Sequence, residues 1–293
     1  DDELVRVFRE IISACLAQEE PLKVGYLGPE GTFTQSAVYK HFGHSARDVP
    51  LGTIAEVFHE VEAGTAEYGV VPIENSTEGT VNHTLDMFMI SPLKICGEIE
   101  LPIRQHLLGK MQSLEEIQRL YTHPQSIAQC RAWLQEYLPH AEQIPVASNA
   151  QAARLARDEA GAAAIAGDAA AEVYELNKLV SNIEDQPDNT TRFLVIGREH
   201  FPASGNDRTS LVLSTADTED SGALHRILEP LAEGHINMTR IESRPSKRRK
   251  WHYVFFIDID GHVDDEHVAT ALKKLEQSAQ LFQLLGSYPK AVQ

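Results

Sequence analysis

GYLGPEGTFTQSA, residues 25–37, is the stretch that decides the fold. It begins inside a short apolar run (VGYLG, 24–28), turns through Pro29 and Gly31, and continues with a hydroxyl and helix-forming residues. Such a run reads as a buried strand, and the turn that follows reads as a helix start. The same design recurs at VVPIENSTEGTVNHTLD (70–86) and YTHPQSIAQ (121–129). Further buried runs are YGVVPI (68–73), AAAIAG (162–167) and FLVIG (193–197). Between them, Thr53 with Glu56, Ser113 with Glu116, Ser126 with Gln129 and Ser148 with Gln151 fit the capping-box spacing. Strand and capped helix alternating from Lys23 to Gly197 predict an α/β domain with mostly parallel sheets. In such sheets the strand-to-helix turns collect along the edge where ligands bind.

The composition changes at HFPASGNDR (200–208), a candidate linker. Beyond it lie strand 209–215, helix 222–234, strands 236–243 and 253–260, helix 265–279 and strand 281–288. This βαββαβ order, in about eighty residues, is the ferredoxin-like pattern. Domains of this kind have no deep cleft and usually bind a regulator or partner.

The 293-residue chain carries 26 Lys plus Arg against 43 Asp plus Glu, a formal net charge of −17. That field repels nucleic acid and anionic membrane, so neither is an expected partner. An anionic ligand must be held by local groups instead. Cys15, Cys96 and Cys130 stand alone in apolar contexts, which suggests a reducing cytoplasm and gives no zinc spacing. No window approaches eighteen apolar residues, and no secretory leader is visible. The chain begins with Asp, and residues 1–18 read as an amphipathic helix, so a longer parent protein is expected.

Several chemistries lack their residues. GPEGTF is not followed by Gly-Lys-Ser/Thr, and there is no GxGxxG, HExxH or GxSxG. His41 with His44 reads as a solvated helix face, and SKRRK (246–250) as a solvated hairpin tip. No metal or cofactor is expected. What remains is a set of neutral donors. Each helix start offers free N–H groups, and Thr32, Ser76, Thr80 and Ser126 add hydroxyls. DNTTRFLVIG (188–197) adds two more hydroxyls and an arginine at a strand's mouth. Ordinary capping explains any one of these turns, but four together point to a site that grips a small anion.

The set GPEGTF, PIENSTEGTV, HPQ and NTTRF, in this order and spacing, resembles prephenate dehydratase. GALH (222–225) and ESRP (242–245) resemble the ACT regulatory domain carried by that family. VFREIISACLA is similar to the last helix of a chorismate mutase domain. Its companion helices are missing here, so no mutase activity is expected. The resemblance runs from about Leu22 to Tyr288. It implies a two-lobed catalytic domain like a periplasmic binding protein over 21–200. One lobe would span about 22–98 plus 185–200 and the other about 99–184, with the chain crossing near 98–102 and returning near 182–188. Residues 1–20 would be mutase helix and linker, and 208–293 the ACT domain.

The implied reaction turns prephenate, a cyclohexadiene dianion, into phenylpyruvate with loss of carbon dioxide and hydroxide. Aromatisation drives it, so no cofactor is demanded. The resemblance makes Thr191 the central catalytic residue, hydrogen-bonded to the leaving hydroxyl. Arg192 would fork onto a carboxylate and Phe193 would form an apolar wall. Asn75 and Ser76 would donate to substrate. Glu74 would either give a proton, if burial raises its pKa, or orient Asn75 and Arg192; orientation is favoured. Thr32, Phe33 and Thr80 would line the site. Gly222, Ala223, Leu224, Glu242, Ser243, Arg244 and Pro245 would bind phenylalanine as feedback inhibitor between subunits of a homodimer or homotetramer. His225 departs from the apolar residue expected there. Arogenate dehydratase, acting on the aminated analogue, and a two-lobed anion sensor without turnover remain alternatives.

Overall fold

The computed structural model describes residues 2–16, 18, 21–215, 221–246 and 252–291. The basic tip from Lys247 to Lys250 lies outside them. The chain forms two compact units: Asp1–Thr84 with Ile99–Phe193, and Leu85–Glu98 with Leu194–Val292.

The first unit opens with α1 (Asp2–Leu16). Its Leu4, Val7, Phe8, Ile11 and Ile12 are exposed, while Glu10 meets the His44 Nδ1 at 2.8 Å and Arg9 reaches the Lys40 carbonyl. His44 therefore holds α1 instead of merely facing water. Next come β1 (Lys23–Leu27), α2 (Phe33–Phe42), β2 (Arg47–Leu51), α3 (Ile54–Glu62), β3 (Tyr68–Asn75) and the short β4 (Gly79–Thr80). Helix α4 (Asn82–Phe88) and strand β5 (Lys94–Pro102) run from one unit into the other. Strand β6 (His106–Gly109), a 3-10 turn (Leu114–Glu116), β7 (Arg119–Thr122), α5 (Pro124–Gln129), α6 (Arg131–Tyr137) and β8 (Glu142–Pro145) follow. Then come α7 (Asn149–Asp158), β9 (Ala162–Ala166), α8 (Asp168–Val173), β10 (Asn177–Val180) and β11 (Thr190–Gly197).

Two sheets result. One has the order β2-β1-β3-β11-β5, with β4 hairpinned onto β3, and β1 runs parallel to both β2 and β3. The other has the order β10-β6-β9-β7-β8. Here β7 is parallel to β8 and β9, and β6 pairs antiparallel with both β9 and β10, so β6 alone runs against the other four strands. The expectation of mostly parallel sheets is corrected here at one strand, β6. β6 enters directly from the crossing after β5, and β10 leaves toward the return crossing. β10 follows β9 through helix α8 and runs parallel to it on the far side of β6, whereas β6 has no such helical crossover before it.

The helix starts mostly follow the expected chemistry. Thr53 and Ser148 accept from the N–H groups of Glu56 and Gln151. Ser113 and Glu116 form a full capping box, but on the 3-10 turn. Ser126 does not cap: α5 begins three residues earlier, with the ring of His123 accepting from Gln125 N and Pro124 in the first turn. The three cysteines are free; Cys96 and Cys130 are buried, whereas Cys15 is exposed rather than core. Burial raises the Cys96 thiol to about 12 and pushes Cys130 up as well.

The second unit contains β12 (Asp207–Ser214), α9 (Ala223–Glu233), β13 (Met238–Pro245), β14 (Tyr253–Asp260), α10 (Glu266–Ser278) and β15 (Leu281–Pro289). Its sheet is antiparallel in the order β13-β14-β12-β15, the ferredoxin-like arrangement. Leu211, Leu213, Ile227, Leu231, Ile257, Ile259, Val268, Leu272 and Leu275 pack the helices onto it. The proposed linker is an ordered loop: Asp207 accepts from Ser204 N, Gly205 N and the Ser204 hydroxyl. Residues 85–98 join this unit. Lys94 Nζ donates to Leu284 O at 2.6 Å, buried Glu98 pairs with Arg208, and Gly286 lies against the Ile95 backbone.

No helix among the described residues is long and apolar enough to cross a membrane.

Candidate active site

A cleft of about 650 Å³ opens within the first unit, lined from both sheets. Its first wall begins with the turn after β1. Thr32 caps α2, accepting from Gln35 N at 3.4 Å and donating to Leu27 O at 3.3 Å. That hydroxyl proton is therefore already placed. Gly31 has φ +82°, and a Cβ there would lie 3.1 Å from Ala170 Cα, so this position needs glycine for both conformation and space. Beside it, Tyr174 donates its hydroxyl to Glu30 O at 2.9 Å, and the Phe33 ring lies against Gly167. The GPEGTF turn thus touches the opposite lobe directly.

The second part of this wall is where the end of β3 meets the start of β11. Asn75 is buried, and its Nδ2 donates to Asn189 Oδ1 at 2.8 Å and to Thr191 Oγ1 at 2.8 Å. Its Oδ1 accepts from Thr77 N and Glu78 N, both at 3.0 Å. The amide orientation is fixed by those two backbone donors, because only an oxygen can accept them. Thr191 Oγ1 must then act as acceptor toward Asn75. Its own proton has no partner among the described residues, and Thr191 lines the cleft.

The opposite wall comes from the crossing and from the starts of α5 and α7. Ile103, Gln105, His123, Gln125, Ser126 and Gln129 contribute, with Ala147, Ser148, Asn149, Gln151 and Arg154. The two crossings are stitched together: Ile103 N donates to Asn189 O at 2.8 Å, Ile183 N to Gln105 O at 2.8 Å, and Gln105 N to Glu184 at 2.9 Å. Buried Glu184 also pairs with Arg104 at 3.1 Å. Burial pulls His123 below the ordinary imidazole value, so near neutral pH its ring is uncharged. Among the described residues no carboxylate lines the cleft, although the chain as a whole is strongly acidic. Its formal charge is the guanidinium of Arg154, reinforced by the amino ends of α2 and α7. Such a site favours a small anion.

Of the residues expected from sequence, Thr32, Phe33, Asn75 and Thr191 come together on this lining. Ser76 does not: its hydroxyl accepts from Thr190 N at 3.0 Å and its N–H donates to Thr190 O at 2.9 Å, stapling β3 to β11. Glu74 and Thr80 pair in the β3–β4 hairpin away from the lining. Arg192, half-buried, alternates onto the other side of β11 from Thr191 and is also off the lining. Phe193 is buried in the core. Gln105 and Arg154 escaped sequence reading because neither belongs to a turn signature; only the lobe arrangement brings them to the cleft.

In the second unit, Gly222 starts α9 with φ +81° ahead of Ala223 and Leu224. Glu242, Ser243, Arg244 and Pro245 end β13, an edge strand. Glu242 and Arg244 are half-buried, Ser243 and Pro245 exposed. Arg244 Nη2 bonds Asp86 Oδ1 at 2.7 Å. His200, His262 and Asp264 also cluster here, but both ring nitrogens of buried His262 are engaged. Nε2 meets Phe201 O, and Nδ1 accepts from Asp264 N, each at 3.1 Å. That leaves this imidazole no lone pair for an ion.

A two-lobed α/β unit with an anion cleft, followed by a ferredoxin-like unit, defines a class of ligand-gripping protein with an appended regulatory module. Residues 24–201 match the family model for prephenate dehydratase, and 215–277 match that of the ACT domain. The chain belongs to the prephenate dehydratase family. It is 53% identical, over its whole length, to the bifunctional chorismate mutase/prephenate dehydratase of Pseudomonas aeruginosa, covering 80% of that protein. A solved structure of prephenate dehydratase in complex with L-Phe from Arthrobacter aurescens superposes with TM-score 0.85 at 37% identity, covering 92% of this chain and 90% of that one. GqqA, described as a novel type of quorum quenching acylase, superposes with TM-score 0.84 at 29% identity, covering 92% of this chain and 98% of that one.

Proposed function

We infer that this protein converts prephenate to phenylpyruvate in phenylalanine biosynthesis, with activity lowered by phenylalanine at the ACT unit. The observation that carries the catalytic reading is the Asn75–Thr191 pair. Asn75 occupies one lone pair of the threonine oxygen, which leaves the hydroxyl proton, unengaged by any described residue, free to face the cleft. In the reaction the bond from the ring to its carboxylate breaks and its electron pair completes the aromatic ring. The bond from the opposite ring carbon to hydroxyl breaks at the same time, releasing carbon dioxide and hydroxide. Thr191 donates a hydrogen bond to the departing oxygen, which solvent then protonates. Threonine need not ionise for this. The apolar faces of Phe33 and Ile103 leave the ring carboxylate poorly solvated, which favours its loss.

Arg154 and the amino end of α7 hold the pyruvyl carboxylate in this reading. Arg154→Gln is expected to raise KM for prephenate about tenfold with kcat nearly unchanged, since the lost bond is charge-assisted but exposed. Steady-state kinetics check this, and a lowered kcat at unchanged KM would contradict it.

Phenylalanine's carboxylate fits the free N–H groups that follow Gly222, and its amine fits the acidic and hydroxyl residues of β13. The exposed edge of β13, with Met238 and Ile241 at the surface, supports pairing of two such units in a homodimer. Gly222→Val is expected to abolish inhibition by phenylalanine while leaving the basal rate within about twofold, because valine resists positive φ. Inhibition curves with and without the substitution test it; retained inhibition overturns the pocket.

The decisive experiment is turnover: prephenate is supplied and phenylpyruvate followed by its alkaline absorbance, with arogenate assayed alongside. Absence of phenylpyruvate would leave the acylase-like or sensor readings of the fold.

A further inference from the structure

We propose that Gln105 is a substrate-contacting residue whose side-chain oxygen accepts the proton of the hydroxyl that departs from the substrate. The inference rests on the prephenate reading and adds the leaving group's second partner.

A chain of hydrogen bonds around Gln105 admits one consistent proton arrangement. His123 N can only donate, and it faces one atom of the Asn149 amide at 3.3 Å, which must be Oδ1. Ser126 Oγ sits 3.0 Å from that same oxygen and must give its proton there. Ser126 Oγ is then an acceptor for the Gln105 amide at 3.2 Å, so the facing atom is Nε2. The second proton of Nε2 goes to Gln129 Oε1 at 3.1 Å. The amide of Gln105 cannot flip without opposing acceptor to acceptor or stranding the serine.

Its Oε1 is thereby directed away from α5; it has no hydrogen-bond partner among the described residues and is closed to solvent, so a small movement at the cleft wall must admit the substrate hydroxyl to it. Gln105 itself is only 2% exposed, yet it lines the cleft. A buried acceptor without a donor is costly, and a ligand hydroxyl removes that cost. The position suits the leaving group. Gln105 lies two residues past Ile103, whose N–H bonds Asn189 O, and Asn189 lies two residues before Thr191. Prephenate carries a single hydroxyl. With its proton on Gln105 Oε1, that hydroxyl turns a lone pair toward the proton of Thr191. The two lobes then hold the departing oxygen from both sides, one as acceptor and one as donor. As the bond to the ring breaks, the oxygen keeps its own proton and leaves as hydroxide.

The test compares a ligand that has the hydroxyl with one that lacks it. In Gln105→Met, the KM for prephenate is expected to rise or kcat to fall so that kcat/KM drops about tenfold. The competitive Ki of phenylpyruvate, which has no hydroxyl, should stay within about twofold of the parent value. Ser126→Ala, which keeps the Gln129 anchor, should preserve most of the preference. If Gln105→Met does not fold, Gln105→Asn withdraws the oxygen by one methylene and should give the same split. Parallel weakening of prephenate and phenylpyruvate would mean a purely structural glutamine and overturn the proposal. An unchanged kcat/KM would mean that Oε1 stays closed off from the substrate, and would overturn it equally. If the parent protein makes no phenylpyruvate, the functional reading fails instead, so the two failures are distinguishable.

Discussion

Thr191→Ala is expected to lower kcat on prephenate by about two to four powers of ten, the usual range for losing acid-type assistance, with KM changed little. Thr191→Ser is expected to keep most of the rate, because the donor and its bond from Asn75 both survive. The asymmetry follows from the geometry. Thr191 contributes no charge and no large contact area, so binding should tolerate alanine. Its proton matters only when negative charge develops on the departing oxygen, and an interaction of that kind appears in kcat. A Thr191→Ala enzyme with near-parental kcat would remove the residue from the chemistry, and a rise in KM alone would reassign it to binding.

Gly286→Ala is expected to produce the largest loss of stability of any single methyl group added to the second unit. An added Cβ would lie 2.2 Å from Ile95 O and 2.9 Å from Ile95 N. Both obstacles are backbone atoms in a strand, so neither can rotate aside. Overpacking of this sort costs about 3 kcal/mol at the upper end of its ordinary range. That corresponds to a Tm lowered by roughly 6–12 °C for a chain of this size. Nearby bonds depend on the same close approach, among them Lys94 to Leu284 O and Gln283 to Phe88 O at 3.3 Å. Response to phenylalanine should weaken together with stability. Thermal unfolding and inhibition curves measure the two effects, and a Tm within about 2 °C of the parent would show that β15 yields where the packing says it cannot.

The ferredoxin-like half could be read almost completely from sequence, because its apolar runs alternate with two amphipathic helices and each strand's mate is close by. The first unit was legible at its strand-to-helix turns and less so elsewhere. β6 carries apolar residues like any other strand, and nothing local reveals that it runs against its neighbours; the crossing after β5 decides it. At α5 the spacing of Ser126 and Gln129 imitates a cap, but Pro124 fits the first turn and moves the start forward, leaving Ser126 free to join the Asn149 and Gln105 network. Motif reading drew attention to Asn75 and Ser76 as donors to substrate. The geometry uses their polar atoms within the protein, on Thr191, Asn189 and Thr190. A residue type names the bonds a side chain can make; only the fold says which are already taken. Arg154 and Gln105 mark the same boundary from the other side, since an arginine in an ordinary helix and a glutamine before a strand carry no local signal.

Arg244, at the end of β13, pairs with Asp86 on α4, and α4 directly follows the hairpin that carries Asn75. A ligand that prefers one position of β13 is therefore expected to bias α4.

The central claim is that Asn75 aims the proton of Thr191, and Asn75→Asp tests it most directly. Aspartate keeps the oxygen that accepts from Thr77 N and Glu78 N, so the turn should stand, but it replaces the donor facing Thr191 with an acceptor. The threonine proton would then point at the carboxylate and away from the cleft. The kcat of folded Asn75→Asp at saturating prephenate is predicted to fall to the level of Thr191→Ala; a kcat within about threefold of the parent would contradict the account.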